Sequence, residues 1–200
     1  MKARPNYMPP DQFDQVIEAI PRLMLRKYLV VDVQMFMKIS YWLALRFGET
    51  LKLTTENFDF EINEAWLGKT KTEKGATANI PIQFRGELMT YLEGKSGPLF
   101  EGWQYITVLK WIERLGKILD IPAWTTPQKE TGEKTKTHIF RKSIGKDMLY
   151  GEYGNRAPIT FISKTLRHGG KDPLGTTIKY LKIGSEEVKD WWIEQQKDEI

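Results

Sequence analysis

Thr176-Thr177-Ile178-Lys179-Tyr180, preceded by Leu166-Arg167-His168-Gly169-Gly170 and by His138-Ile139-Phe140-Arg141, sets one tyrosine downstream of arginines and histidines in the last third of the chain. The only two histidines in the sequence both fall in these boxes. A phenol with an ordinary pKa of about 10 is a poor nucleophile at neutral pH, so it needs cations and a proton acceptor beside it. With Arg46 and a lysine-rich turn far upstream, the order points to phosphoryl transfer onto Tyr180.

The charge distribution agrees. Lys129 to Lys146 holds six basic against two acidic residues, and Ser163 to Lys182 five against one. These stretches enclose the histidines and Tyr180. Either one alone reads most simply as a solvated face, but two such stretches around histidines favour an anion site. From Ile183 to Ile200 the sign reverses, with two lysines against six acidic residues. The net charge of +4 and pI near 9.1 are only mildly basic.

At 200 residues with 40% hydrophobic content, a single domain with a packed core is expected. No run is long and apolar enough for a bilayer span, and Met1-Lys2-Ala3-Arg4-Pro5 leads into polar residues rather than a secretory core. A soluble, unexported, cytoplasmic protein is expected. The absence of cysteine excludes disulfides and thiolate metal sites, and two histidines are too few for most histidine-built metal sites.

Pro10 to Ile20 carries a helical stripe of Phe13, Val16, Ile17 and Ile20, stopped by Pro21. Val30 to Phe47 reads as an apolar core helix with Arg46 at its exit. Phe58 to Lys71 and Ala76 to Phe84 read as two strands about the turn Thr72-Glu73-Lys74-Gly75. Helices are expected over 86–93, 105–119, 138–150, 159–167 and 174–182, with a loop over 122–137. The fold class is α+β, mainly helical with a small antiparallel hairpin or sheet.

Each candidate has a plain structural alternative. Arg46 on an apolar helix needs a partner, and an ion pair with Glu49 would hold the helix end. His168 reads equally as a helix-terminal histidine satisfied by a carbonyl, and Tyr180 as a core residue beside Ile178 and Leu181. His138 and Arg141, three apart on a helix, share a face.

In order, however, these residues resemble the tyrosine recombinase (phage integrase, Xer-like) family. Ala44-Leu45-Arg46-Phe47-Gly48-Glu49 resembles its first arginine box. Lys69-Thr70-Lys71-Thr72-Glu73-Lys74-Gly75 before Ile80-Pro81-Ile82 resembles its lysine hairpin. The His138, His168 and Tyr180 boxes match the remaining three, over roughly Met8 to Lys182. Two positions depart from the pattern: Arg167 stands where the family usually has glycine, and Lys171-Asp172-Pro173 reads as a short insertion before the tyrosine. Met1 to Met8 is too short for the family's DNA-clamping helical domain, so an excised catalytic domain or a minimal protein is expected.

The resemblance implies a site-specific recombinase that cleaves and rejoins double-stranded DNA through a 3′-phosphotyrosyl link, without metal or cofactor. Arg46 and Arg141 would hold the scissile phosphate, with His168 as a further donor. His138 would take the tyrosine proton or orient the phosphate, and Lys71 would protonate the leaving 5′ oxygen, with Lys69 and Lys74 as alternatives. Lys69, Lys74, Lys136, Lys142, Arg167 and Lys179 are expected to contact DNA. Type IB topoisomerase chemistry, or a DNA-binding module that keeps the fold without cleaving, are the competing readings.

Residues 1–182 would form the catalytic domain and 183–200 an acidic helix. Its stripe of Val188, Trp191, Trp192 and Gln195 would either fold back on its own domain or dock on a neighbouring subunit of a dimer or tetramer on DNA. Deleting 184–200 is expected to lower the assembly state on DNA in sedimentation, and unchanged assembly would count against subunit exchange.

Overall fold

The computed structural model describes residues 7–69, 75–125, 135–181 and 183. The lysines Lys71 and Lys74 and the acidic tail lie outside them, as does most of the expected 122–137 loop.

Helix α1 (Pro10–Ala19) begins with proline at a position whose N–H would lack a partner anyway, with Asp11 in its first turn. It buries Phe13, Val16, Ile17 and Ala19, then tightens into a 3-10 turn at Ile20–Leu23 that accommodates Pro21. Helix α2 (Val30–Trp42) is the central apolar rod, with Val33, Phe36, Met37, Ile39 and Tyr41 all buried. Lys38 escapes the core by pairing with Glu87 at 2.5 Å.

The expected continuation of α2 to Phe47 does not form. Ala44 turns left-handed (φ 50°), Leu45 N–H bonds back to Ser40 O at 2.9 Å, and the chain resumes as the short α3 (Phe47–Thr50). Arg46 therefore sits at the start of α3, where Glu49 accepts its backbone N–H at 2.8 Å.

Three strands, β1 (Phe58–Asp59), β2 (Glu64–Lys69) and β3 (Gly75–Asn79), form an antiparallel sheet in sequence order. The single strand expected from Phe58 to Lys71 is divided by a turn at 60–63, where Asn63 is left-handed (φ 55°). Ala65 pairs with Ala78 and Trp66 with Thr77, and the register shifts before Lys69 pairs with Gly75. Gly75 lets the Trp66 indole lie on the backbone, since a Cβ there would come within 1.9 Å of the ring. The strand expected to reach Phe84 ends at Asn79 because Pro81, without an N–H for the ladder, precedes helix α4 (Ile82–Leu92) instead.

Helices α5 (Tyr105–Ile118), α6 (Pro122–Thr125), α7 (Thr135–Tyr150), α8 (Ile159–Thr165) and α9 (Pro173–Leu181) complete the described fold. Phe140 of α7 meets Phe13, Phe47 and Trp124 edge-on, at ring separations of 5.6, 5.6 and 5.7 Å. Farther along α7, a Cβ at Gly145 would lie 2.9 Å from a Leu181 methyl and 3.1 Å from a Leu166 methyl. The absence of a side chain there lets the segments just before His168 and just after Tyr180 settle against α7.

A polar cluster crosses this core. The Tyr41 hydroxyl donates to the buried Asp147 carboxylate and lies 2.9 Å from the Tyr153 hydroxyl, while Asp147 Oδ1 has no partner among the described residues. Burial pushes the Asp147 carboxyl up to about 7; the bond from Tyr41 opposes this and Glu152 reinforces it. The folded chain thus holds a proton that the unfolded chain releases near its ordinary carboxylate value, and stability falls as pH rises across that window. Asp147→Asn is expected to stabilise the protein against urea by about 2 kcal/mol at pH 8 and to change little at pH 4.

Candidate active site

The break after α2 turns the carbonyls of Leu43 and Ala44 away from the helix, and two arginines from distant segments take them. Arg141 Nη1, from α7, donates to Ala44 O at 2.7 Å. Arg167 Nη1 donates to Leu43 O at 3.2 Å and to Thr165 O at 3.3 Å, and its Nη2 to Ala44 O at 2.8 Å. Glu49 ties these groups to Arg46: Oε1 accepts from Arg46 Nη1 at 2.7 Å, and Oε2 from Arg167 Nη2 at 3.1 Å. Burial works to raise the Glu49 carboxyl, but the Arg46 backbone N–H and the two guanidiniums outweigh it and hold the group below its usual range.

Arg141 is 1% exposed, and its Nη2 has no hydrogen-bond partner among the described residues. Burial lowers its guanidinium to about 9, helped by repulsion from Arg167 and Arg46. Clustered cations with an unpaired buried donor describe a site suited to an anion.

His138 stands one turn before Arg141 on α7. The Tyr180 hydroxyl donates to His138 O at 3.2 Å and lies 3.5 Å from His138 Nδ1. The Tyr180 ring meets the His168 ring edge-on at 5.0 Å. His168 Nδ1 is 2.8 Å from Thr177 Oγ1, whose hydroxyl also lies 2.9 Å from Pro173 O, so α9 orients the imidazole. Burial lowers His168 to about 4, with Arg141, Arg46, Arg167 and His138 acting in the same direction. Tyr180 is half-buried; burial raises its phenol to about 12 against the pull of Arg141 and Arg46. The segment read as an insertion supplies a cap for α9, since Asp172 Oδ1 accepts the Gly175 N–H at 2.8 Å.

Five of the residues singled out from sequence, Arg46, His138, Arg141, His168 and Tyr180, thus converge from α3, α7, the turn after α8, and α9. The ion pair anticipated between Arg46 and Glu49 is present alongside this convergence. Lys69 lies in β2 and Lys136 in α7, whereas Lys71 and Lys74 fall outside the described residues. Lys179 is exposed on α9, Lys142 is buried on α7 at 7% exposure, and the Arg167 side chain faces inward. Sequence reasoning missed the bridging of Arg167 by Glu49 and the hold of Thr177 on His168. The one available signal was a bulky cation placed directly before the histidine.

Solved structures share this architecture. The catalytic domain of bacteriophage HP1 integrase superposes with a TM-score of 0.63 at 18% identity, covering 93% of this chain and 92% of that one. The chain has the fold of tyrosine recombinase catalytic domains. XerH site-specific recombinase, solved bound to palindromic difH substrate as a post-cleavage complex, gives 0.64 at 16% identity over 93% of this chain. The chain spans about half of XerH, 51% of its length. Tn1549 transposon integrase in complex with transposon right end DNA gives 0.63 at 14%, covering 97% of this chain and 67% of that one. No family model matches the sequence, and no curated protein matches it.

On this recombinase fold the imidazole of His168 is held neutral by its surroundings. An NMR titration of the free protein should give His168 a midpoint well below 6.5, and Arg46→Gln should move that midpoint upward.

Proposed function

We propose that the chain cleaves and rejoins DNA strands as a site-specific recombinase or integrase, with Tyr180 as nucleophile. The observation that carries this reading is the Tyr180 hydroxyl 3.5 Å from His138 Nδ1 beside a guanidinium cluster with an unpaired donor. A phenol raised to about 12 does not ionise unaided at neutral pH, so attack requires a base, and His138 is within reach of the proton. The tyrosine oxygen would attack the phosphorus, and the bond to the 5′ oxygen would break to leave a 3′-phosphotyrosyl link and a 5′ hydroxyl.

Arg46 and Arg141 would grip two phosphate oxygens and offset the charge that grows as phosphorus becomes five-coordinate. Arg46 is half-exposed at the mouth, so an incoming backbone meets it first. A phosphodiester in the site would raise His168, allowing its second nitrogen to donate. Lys71, or Lys69 or Lys74 from the same hairpin, would return a proton to the leaving oxygen. Lys179 and Lys136 would follow the DNA backbone, whereas Lys142, buried on α7, would not reach it, with the active protein a dimer or tetramer on DNA. A module that only bound DNA would have no use for a phenol placed against a base, which favours cleavage.

Incubated with nicked target DNA, the parent is expected to form a covalent protein–DNA adduct on denaturing gels and Tyr180→Phe none. Arg46→Ala is expected to slow adduct formation by about 10²–10³-fold. Absence of adduct from the parent on any DNA would return the chain to the binding-only reading.

A further inference from the structure

We propose that Arg167 is a positioning residue, a guanidinium strut that sets the forks of Arg46 and Arg141 rather than a contact to DNA; this rests on the strand-cleavage reading above. Arginine offers five N–H groups. In Arg167 four of them already meet Leu43 O, Thr165 O, Ala44 O and Glu49 Oε2, and the fifth, on Nε, is buried without a partner among the described residues. Four of the five are therefore committed within the protein rather than to a backbone phosphate. What Arg167 touches is what the other two arginines touch: Ala44 O also accepts from Arg141, and Glu49 also binds Arg46.

The backbone supports the same assignment. Arg167 is left-handed at φ 48°, a conformation disfavoured for any residue with a side chain, and the Ala44 whose carbonyl it holds is left-handed at φ 50°. Glycine would adopt the first of these turns freely. A strained arginine in its place is retained only if the surrounding contacts hold it there, and those contacts join the turn before His168 to the turn before Arg46. A lysine could not replace them. Its compact ammonium keeps the charge but lacks the planar fork that spans two carbonyls and a carboxylate.

The test separates positioning from DNA contact. Arg167→Lys should bind a Tyr180→Phe-protected site with unchanged Kd and unchanged salt slope, yet in the Tyr180 background form adduct about 100-fold more slowly in single turnover. A loss of about one unit in the salt slope is the mark of a lost phosphate contact, and that result, or adduct formation at the parental rate, overturns the proposal. Arg167→Gly relieves the backbone and guards against misfolding; methylguanidinium should restore its adduct rate at least tenfold, as a structural role alone would not. If the parent forms no adduct, the cleavage reading fails, and sulfate still reports on the strut. Sulfate should raise the Tm of the parent but not of Arg167→Lys, and equal shifts in both proteins overturn it.

Discussion

One carbonyl oxygen, that of Ala44, accepts hydrogen bonds from two guanidiniums that arrive from positions 97 and 123 residues away in sequence. Everything else in the site follows from that meeting. The helix carrying Trp42 must stop so that the carbonyl can turn outward, and the chain must restart at once so that Arg46 stands beside it. The carboxylate of Glu49 then locks the restart to both neighbours. Backbone polarity that a continuous helix would have consumed internally is spent on holding cations together.

Three guanidiniums so close repel one another, and the chemistry of the site is set by how that repulsion is offset. Glu49 offsets part of it. Burial, reinforced by the remainder, lowers Arg141 and keeps the His168 imidazole uncharged. Their shared environment is electropositive and drier than the surface, so an anion entering it would meet donors already aimed and little competing water. Tyr180 experiences the opposite balance: burial opposes its ionisation more strongly than the cations favour it. The phenol therefore stays protonated until a base takes its hydrogen.

Much of this was legible in the sequence, because ordered polar residues in apolar surroundings are costly to keep without purpose. The apolar stripes of α1 and α5 place those helices to within a residue or two. The break after Trp42 was not legible, since Leu43-Ala44-Leu45 has strong helix propensity and no local stop signal; its cause lies in Arg141 and Arg167. Pro81 misled in the other direction, read as part of a strand when it opens a helix. Of the site, five groups could be placed together by their order, but which way Arg167 turns depends on carbonyls whose freedom only the tertiary structure reveals. The insertion of Lys171-Asp172-Pro173 likewise looked like slack, whereas Asp172 starts the helix that bears Tyr180.

Gly145 gives α7 a dent where the residues flanking both aromatic members of the site come to rest. The phenol and the His168 imidazole are consequently referenced to one bare spot on one rod, rather than each to its own loop. A side chain added at 145 would therefore displace Leu166 and Leu181 together, and with them both rings.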